Sequence, residues 1–303
     1  MASNEPAIVC VDWGTSSFRA YLMGADGAVL ERTESARGIL TVGEGEHEDT
    51  LASLIGEWMA RGALPILMSG MIGARQGWVE APYARCAAGL QEIAAAIVTI
   101  ETRTLGAIGL VPGVCTIGRD ASPDVMRGEE TQILGALAAM DRNEGVFVLP
   151  GTHSKWARVE QGRIMSFATY MTGELFAALK DHTILGRSMT EATSGGGFAE
   201  GVRASARLER PGDVLHAIFM TRTLGLFDRL APDQLSDYLS GLLIGAELLS
   251  GAQGAAEAVV IGSPALTVRY CTAGEILGLA LQPAPEDCAP MGQLALLPHW
   301  RAA

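Results

Sequence analysis

The chain has 303 residues, 49% hydrophobic and 18% charged, with a formal net charge of -12. That is enough apolar material for a buried core and about two domains, which excludes a disordered chain. The acidic balance excludes a general nucleic-acid binder, which needs a basic stripe, but leaves room for an anionic ligand held by a few placed donors.

The five cysteines, at 10, 86, 115, 271 and 288, are scattered and odd in number, without a C-x-x-C or Cys/His cluster. Neither a disulfide framework nor a zinc site is indicated, and a reducing, cytoplasmic home is expected. The start "MASNEPAIVCVDW" has no basic region and no long apolar run, and no stretch of eighteen apolar residues occurs. Neither a signal peptide nor a membrane span is therefore expected.

In chain order, "AIVCVDWG" predicts a buried strand, "SFRAYLMG" a second, and "AVLERTES" a third after the "ADG" turn. A helix is expected near 47–61, then the apolar strand "LPILMSG" and a Gly-rich loop. "GEETQILGALAAM" (128–140) predicts a helix with acids in its first turn, where they suit the helix dipole. The opening pattern then returns in "GVFVLPGTHSKWARVEQGRIMSFATY" (145–170). Gly14-Thr15 falls on Gly151-Thr152 and Ser17 on Ser154, at an offset of 137 residues. A repeat of nearly half the chain suggests two similar domains, 1–142 and 143–303, rather than a solenoid. Residues 174–250 read mostly helical, "AVVIGSPAL" predicts a strand running into a helix, and "QLALLPHW" is expected to close the second domain.

Each Gly-Thr turn suits phosphate. Gly lets backbone N–H groups approach phosphate oxygens, and Thr15, Ser16, Ser17, Thr152 and Ser154 add hydroxyl donors. Lys155 supplies charge, as does Arg19 unless it points down its strand, and His153 stands among the hydroxyls. Asp12 has no use against phosphate directly but makes sense as an outer ligand of Mg²⁺. Singly, each turn reads better as an ordinary hairpin; two copies half a chain apart, each after a buried strand, favour the phosphate reading. No "GK[ST]", no G-x-G-x-x-G after a strand and no G-x-S-x-G occurs, which removes the P-loop, Rossmann and hydrolase-elbow readings.

In "LMSGMIGARQGWVEAPYARC" (67–86), Ser69, Arg75, Gln76 and Trp78 suit a small hydroxylated acid: Arg for carboxylate, Gln for hydroxyl, Trp for the carbon face. A core Trp in an irregular loop explains the stretch as well. "DASPDVMRGEETQ" (120–132) offers Asp120, Asp124, Glu129 and Glu130, and phosphoryl transfer to an alcohol needs one carboxylate to take the proton. Helix capping alone also explains these acids. Gly-rich "GGGFAEG" (195–201) and "VVIGSPAL" (259–266), with Gly262 and Ser263, suit either a flat ring lying on backbone or plain caps and turns.

Together "VDWGTSSFRAYL", "LMSGMIGARQGWVEAPY", "DVMRGEETQILGAL" and "LPGTHSKW" resemble the 2-dehydro-3-deoxygalactonokinase family, over nearly the whole chain. The resemblance implies an α/β fold of two ribonuclease-H-like domains of the actin/hexokinase type with an interdomain cleft. It implies ATP and Mg²⁺, transfer of the γ-phosphate to the 6-hydroxyl of 2-dehydro-3-deoxy-D-galactonate, and a role in D-galactonate catabolism. By this likeness Asp12 and Gly14–Ser17 are the first phosphate motif, Gly151–Lys155 the second, and Gly262-Ser263 part of the adenosine motif. Glu129 looks aligned with the base, with Glu130 and Asp124 as alternatives. The second motif begins with Pro150 where many relatives carry Asp, so metal binding rests mainly on Asp12.

Two other classes compete. The "GEE" at 128–130 is similar to that of phosphohydrolases of the same fold, which act on polyphosphate or nucleotide tails. A nucleotide-switched binding protein is the third reading, and the chain is too short for the added partner-binding domain it needs. The expected partners are the sugar acid and ATP, with no nucleic acid and no membrane, and the apolar C-terminal helices permit a homodimer.

Overall fold

The computed structural model describes residues 5–118, 121–191, 196–210 and 212–302. Asp120 and Gly195 lie outside the described residues. The chain divides into two compact units. The first comprises 1–144, 158–167 and 285–303, and the second 145–157 and 168–284.

The first unit opens with β1 (Pro6–Trp13), β2 (Phe18–Gly24), β3 (Val29–Ser35) and α1 (His47–Met59). It continues through β4 (Ile66–Ser69), β5 (Tyr83–Arg85), α2 (Leu90–Ala95), β6 (Val98–Glu101), β7 (Ala107–Leu110), β8 (Gly113–Ile117), β9 (Pro123–Met126) and α3 (Glu129–Ala139). Its main sheet has the order β3-β2-β1-β4-β7-β6, and β5-β8-β9 form a small second sheet. β1 pairs antiparallel with β2 and parallel with β4. Covered on both faces, β1 is a continuous apolar run, with Ile8 to Val11 wholly buried. The core joins Val9, Val11, Trp13 and Phe18 to Leu51, Ile55 and Trp58 of α1.

The second unit repeats the plan. β10 (Gly145–Leu149), β11 (Ser154–Glu160) and β12 (Arg163–Tyr170), whose residues 158–167 count with the first unit, are followed by α4 (Thr172–His182), α5 (Gly196–Ser205), α6 (Asp213–Leu226) and α7 (Pro232–Gly251). β13 (Glu257–Val260), α8 (Pro264–Leu277) and β14 (Ala280–Pro283) complete it. The sheet order β12-β11-β10-β13-β14 matches the first sheet strand for strand over the first four positions. Two such mixed sheets, each starting with an antiparallel trio and continuing in parallel, form the ribonuclease-H-like α/β fold of the actin/hexokinase type. No helix among the described residues is long and apolar enough to cross a membrane.

Two features depart from the sequence expectation. The C-terminal helix α9 (Cys288–Ala302) belongs to the first unit. Gly135 of α3 and Gly292 of α9 let the two backbones touch, since a Cβ at Gly135 would lie 1.8 Å from the Cys288 carbonyl oxygen. Gln293 donates to the Val11 carbonyl at 2.8 Å and fixes α9 to β1. Likewise Gly196–Gly201 is helix, not a turn for a flat ring. Gly197 and Gly201 sit on α7, where a Cβ would come within 2.1 Å of the Gln234 oxygen or 2.0 Å of the Tyr238 oxygen.

Candidate active site

The first turn, Gly14–Ser17, closes the β1–β2 hairpin, with the Gly14 N–H donating to the Ser17 carbonyl at 2.8 Å. Thr15, Ser16 and Ser17 are exposed. The loop after β3 lies directly against the turn. Ile39 N–H donates to the Gly14 carbonyl at 3.0 Å and Leu40 N–H to the Thr15 carbonyl at 3.2 Å. Gly38 makes this approach possible, for a Cβ there would stand 2.3 Å from the Thr15 oxygen. Cross-strand register sets Asp12 opposite Arg19. Arg19 therefore points down its strand and donates to Asp12 Oδ2 at 2.7 Å instead of reaching the turn. The Asp12 side chain is only 12% exposed. Burial pushes its carboxyl up, against the opposing pull of Arg19.

β4 runs beside β1 with Ser69 next to Asp12. Ser69 is fully buried, and its hydroxyl accepts from Gln293 Nε2 at 2.7 Å. The residue that meets the site is Gly70. Its φ of +93° is open to glycine, and a Cβ there would lie 3.2 Å from Asp12 Oδ1. Gly128, at φ +107°, precedes α3 and approaches Gly70 so closely that its Cβ would lie 3.3 Å from the Gly70 Cα. Two glycines thus bring the start of α3 to the end of β1.

At that helix start both acids fold back. Glu129 accepts the Arg127 N–H at 2.8 Å and stays half-exposed. Glu130 accepts the Gly128 N–H at 2.7 Å and is 0% exposed. Burial, with the neighbouring Glu129 charge, pushes the Glu130 carboxyl up to about 8. Asp124 lies apart on β9, opposite Thr116, and its Oδ1 accepts the Val125 N–H at 2.8 Å. Arg75 and Gln76 are exposed. Trp78 is half-buried, packs on the core and stacks on His47 with ring centroids 6.0 Å apart. Arg127, passed over in the sequence, donates to the Ala81 carbonyl at 2.8 Å and lies over the Tyr83 ring. Its Nε and Nη1 are buried without a hydrogen-bond partner, and Nη1 lies against Gly73 in the loop that carries Arg75.

The second turn, Gly151–Ser154, has the same backbone support from a different residue. Glu174 N–H donates to the Thr152 carbonyl at 3.0 Å, and a Cβ at Gly173 would lie 2.4 Å from the Gly151 oxygen. Gly38 and Gly173 were visible in the sequence only as later glycines, 24 and 22 residues after Gly14 and Gly151. Thr152 and His153 are exposed, and His153 Nε2 meets the Glu174 carboxylate. Ser154 is buried: Gly151 N–H donates to its hydroxyl at 3.4 Å, and Tyr270 lies 3.1 Å away. Tyr270 and Trp156 in turn donate to Glu247, at 2.7 and 2.9 Å. Lys155 is buried, and its ammonium donates to the His153 carbonyl at 3.3 Å. Gly262 closes the turn's flank, where a Cβ would meet Pro150 Cδ at 3.4 Å, and Ser263 stands exposed at the N-terminus of α8.

Among the described residues no group of three His, Cys, Asp or Glu stands together as a metal cage. Mg²⁺ that travels with a nucleotide needs no such cage, since one or two carboxylates and the phosphates suffice. Asp12, desolvated and beside the first turn, fits that smaller requirement.

The family model for 2-keto-3-deoxy-galactonokinase matches residues 12–296. A Rhizobium meliloti (strain 1021) relative assigned as a 2-dehydro-3-deoxygalactonokinase is 40% identical over 285 residues, 91% of this chain and 92% of its own length. The 2-dehydro-3-deoxygalactonokinase of Escherichia coli (strain K12) is 31% identical over 295 residues, covering 96% of this chain and 97% of that one. A crystal structure from Sinorhizobium meliloti, described under the same activity, superposes with a TM-score of 0.86 at 36% identity, over 97% of this chain and 98% of the other. The doubled turn, the paired acids at α3 and these matches over nearly the full length agree, and the chain belongs to the 2-keto-3-deoxy-galactonokinase family.

Proposed function

We infer that the chain is an ATP- and Mg²⁺-dependent kinase that phosphorylates the 6-hydroxyl of 2-dehydro-3-deoxy-D-galactonate in D-galactonate catabolism. The observation that carries this reading is the pair of glycine-backed turns, one of which meets an acid-bearing helix start through Gly70 and Gly128. The backbone N–H groups and exposed hydroxyls of Thr15, Ser16, Ser17 and Thr152 hold phosphate oxygens, and Gly262-Ser263 lie along the nucleoside. Asp12 holds Mg²⁺, which when bound neutralises charge on the phosphates.

Glu129 is the base. It is half-exposed at the helix start, whereas Glu130 is sealed from solvent and Asp124 stands on a separate hairpin. As the acceptor oxygen forms its bond to the γ-phosphorus, the bridging bond to the β-phosphate breaks, ADP leaves and the hydroxyl proton passes to Glu129. Glu130 acts at one remove, tying down the Gly128 N–H that sets the direction of α3. Arg75, Gln76 and the open face of Trp78 receive the sugar acid. Arg127, with two unpartnered donors, suits its carboxylate. Ser69 and Lys155, engaged with Gln293 and His153, serve as supports rather than as ligands. The enzyme works in the cytoplasm and as a homodimer.

The family match does not favour the phosphohydrolase reading, and a direct assay separates the two. ADP release is measured with ATP and Mg²⁺ against 2-dehydro-3-deoxygalactonate, its gluconate epimer, galactonate and no acceptor. Turnover with the first alone is expected. Equal turnover with both epimers would refute the stated stereochemistry, and phosphate release without acceptor would replace the kinase by the hydrolase.

A further inference from the structure

Isolated exposed apolar residues such as Leu40 and Val268 are ordinary. Helix α6 is different. It buries only Ala217 and Thr221, with Ile218 and Leu224 packed in part on the helical core formed by Leu230, Leu235, Tyr238 and Leu242. On its other side Leu215, Phe219, Arg222 and Leu226 follow one another at spacings of four, three and four. That spacing lines them up along one stripe, as in a helix-pairing seam. Leu215 is 73% exposed, Phe219 52% and Leu226 59%, and Phe227 at the helix end is 76% exposed. A helix apolar on two sides expects two partners, and the fold supplies one.

We propose that this stripe is the interface of a homodimer, in which α6 pairs antiparallel with α6 of a second copy across a two-fold axis. The occupant is another copy because the stripe complements itself. With the axis passing beside Met220 and Thr221, Leu215 faces the partner's Leu226 and Phe219 faces the partner's Arg222. Each pair occurs twice, as a two-fold contact requires. Arg222 over Phe219 is a cation–π contact of the kind this chain already makes with Arg269 over Phe198 and Arg127 over Tyr83. A parallel pairing would instead set the two Arg222 side chains against each other. Within its own chain Arg222 reaches the Ile184 carbonyl only at 3.5 Å. With Phe227 at the helix end, the exposed apolar side chains of the stripe amount to on the order of 500 Å², the size of patch that often marks an interaction site. A stable interface buries roughly 800 Å² per partner, and this patch would supply its apolar part. The inference does not depend on the activity assigned above.

Sedimentation velocity on the purified full chain at micromolar concentration tests it. A particle of twice the 31.8 kDa chain mass is expected. The double variant Phe219→Glu/Leu226→Glu, changed only at exposed positions, is expected to weaken the dimer at least about 30-fold. Its melting temperature and turnover per chain stay near those of the parent. Leu215→Cys and Leu226→Cys chains, mixed and mildly oxidised, should cross-link to each other more than either does alone. A monomeric parent chain, a dimer untouched by the two glutamates, or a Leu215→Cys chain that cross-links best with itself would overturn the proposal.

Discussion

The two turns share a backbone and differ in what stands behind them. At the first, the residue one before the end of β1 is Asp12, paired with Arg19 and reaching toward Gly70. One repeat later the same positions hold Leu149 and Trp156. The second turn is supported instead by neutral donors, Ser154, Tyr270 and Trp156, converging on the buried Glu247. The fold thus uses one hairpin twice. Behind the first turn it sets an acid paired with Arg19, and behind the second an acid enclosed by neutral donors.

The largest test of that difference compares two glutamates at helix starts, Glu129 at the start of α3 and Glu174 in the first turn of α4. Glu129→Gln should lower kcat about 10²–10⁴-fold, the usual worth of a general base. Glu174→Gln should cost less than about tenfold, since among the described residues its carboxylate meets exposed His153. Single-turnover phosphoryl transfer reads both, and the opposite ranking would exchange the roles of the two turns.

The supporting glycines come next. Gly38→Ala and Gly173→Ala each force a methyl group to within about 2.4 Å of a turn carbonyl. A shift of about 1 Å in either turn should lower kcat/KM about 100-fold, visible in steady-state kinetics with ATP varied. Equal losses support two phosphate turns; a loss confined to Gly38→Ala would leave the second turn without that role.

A smaller effect concerns pH. Glu130 titrates near 8 in the fold against an ordinary 4.5. Between these values the unfolded chain has released a proton that the folded chain retains. The stability Glu130 contributes is therefore complete below about 4.5 and is lost as pH rises through about 8. The slope is at most about 1.4 kcal/mol per pH unit. Glu130→Gln keeps an acceptor for the Gly128 N–H and should flatten the fall in melting temperature between pH 6 and pH 9. An unchanged pH profile would mean that the acid at α3 is not held protonated.

The smallest effect is expected at the second turn. Tyr270→Phe removes the hydroxyl that links Ser154 to Glu247, costing about 1–3 kcal/mol in chemical denaturation. It should raise the KM for ATP a few-fold with kcat nearly unchanged. A fall in kcat instead would place Glu247 in the chemistry.

Much of this was legible in the chain itself. The strand–turn–strand pattern at 8–35 and 145–170, with its repeat of about half the chain, predicts the two sheets, because buried strands and Gly-rich turns are local signals. The acids of "GEE" announced a helix start. Local pattern left other matters open. Only the β1–β2 register turned Arg19 onto Asp12, and only packing sealed Glu130 while leaving Glu129 half-open. "QLALLPHW" carries no mark that it packs beside β1 rather than in the second unit, since an apolar helix face is compatible with either core. Gly38, Gly173, Gly197 and Gly201 carry no local mark that tells them apart. Their different duties, backing a turn or seating one helix on another, depend on which backbone comes within about 2 Å of the missing side chain. Composition and periodicity determined which elements form and how they repeat. Contacts between residues far apart in sequence decided which acid is open, which is buried and which glycine holds which turn.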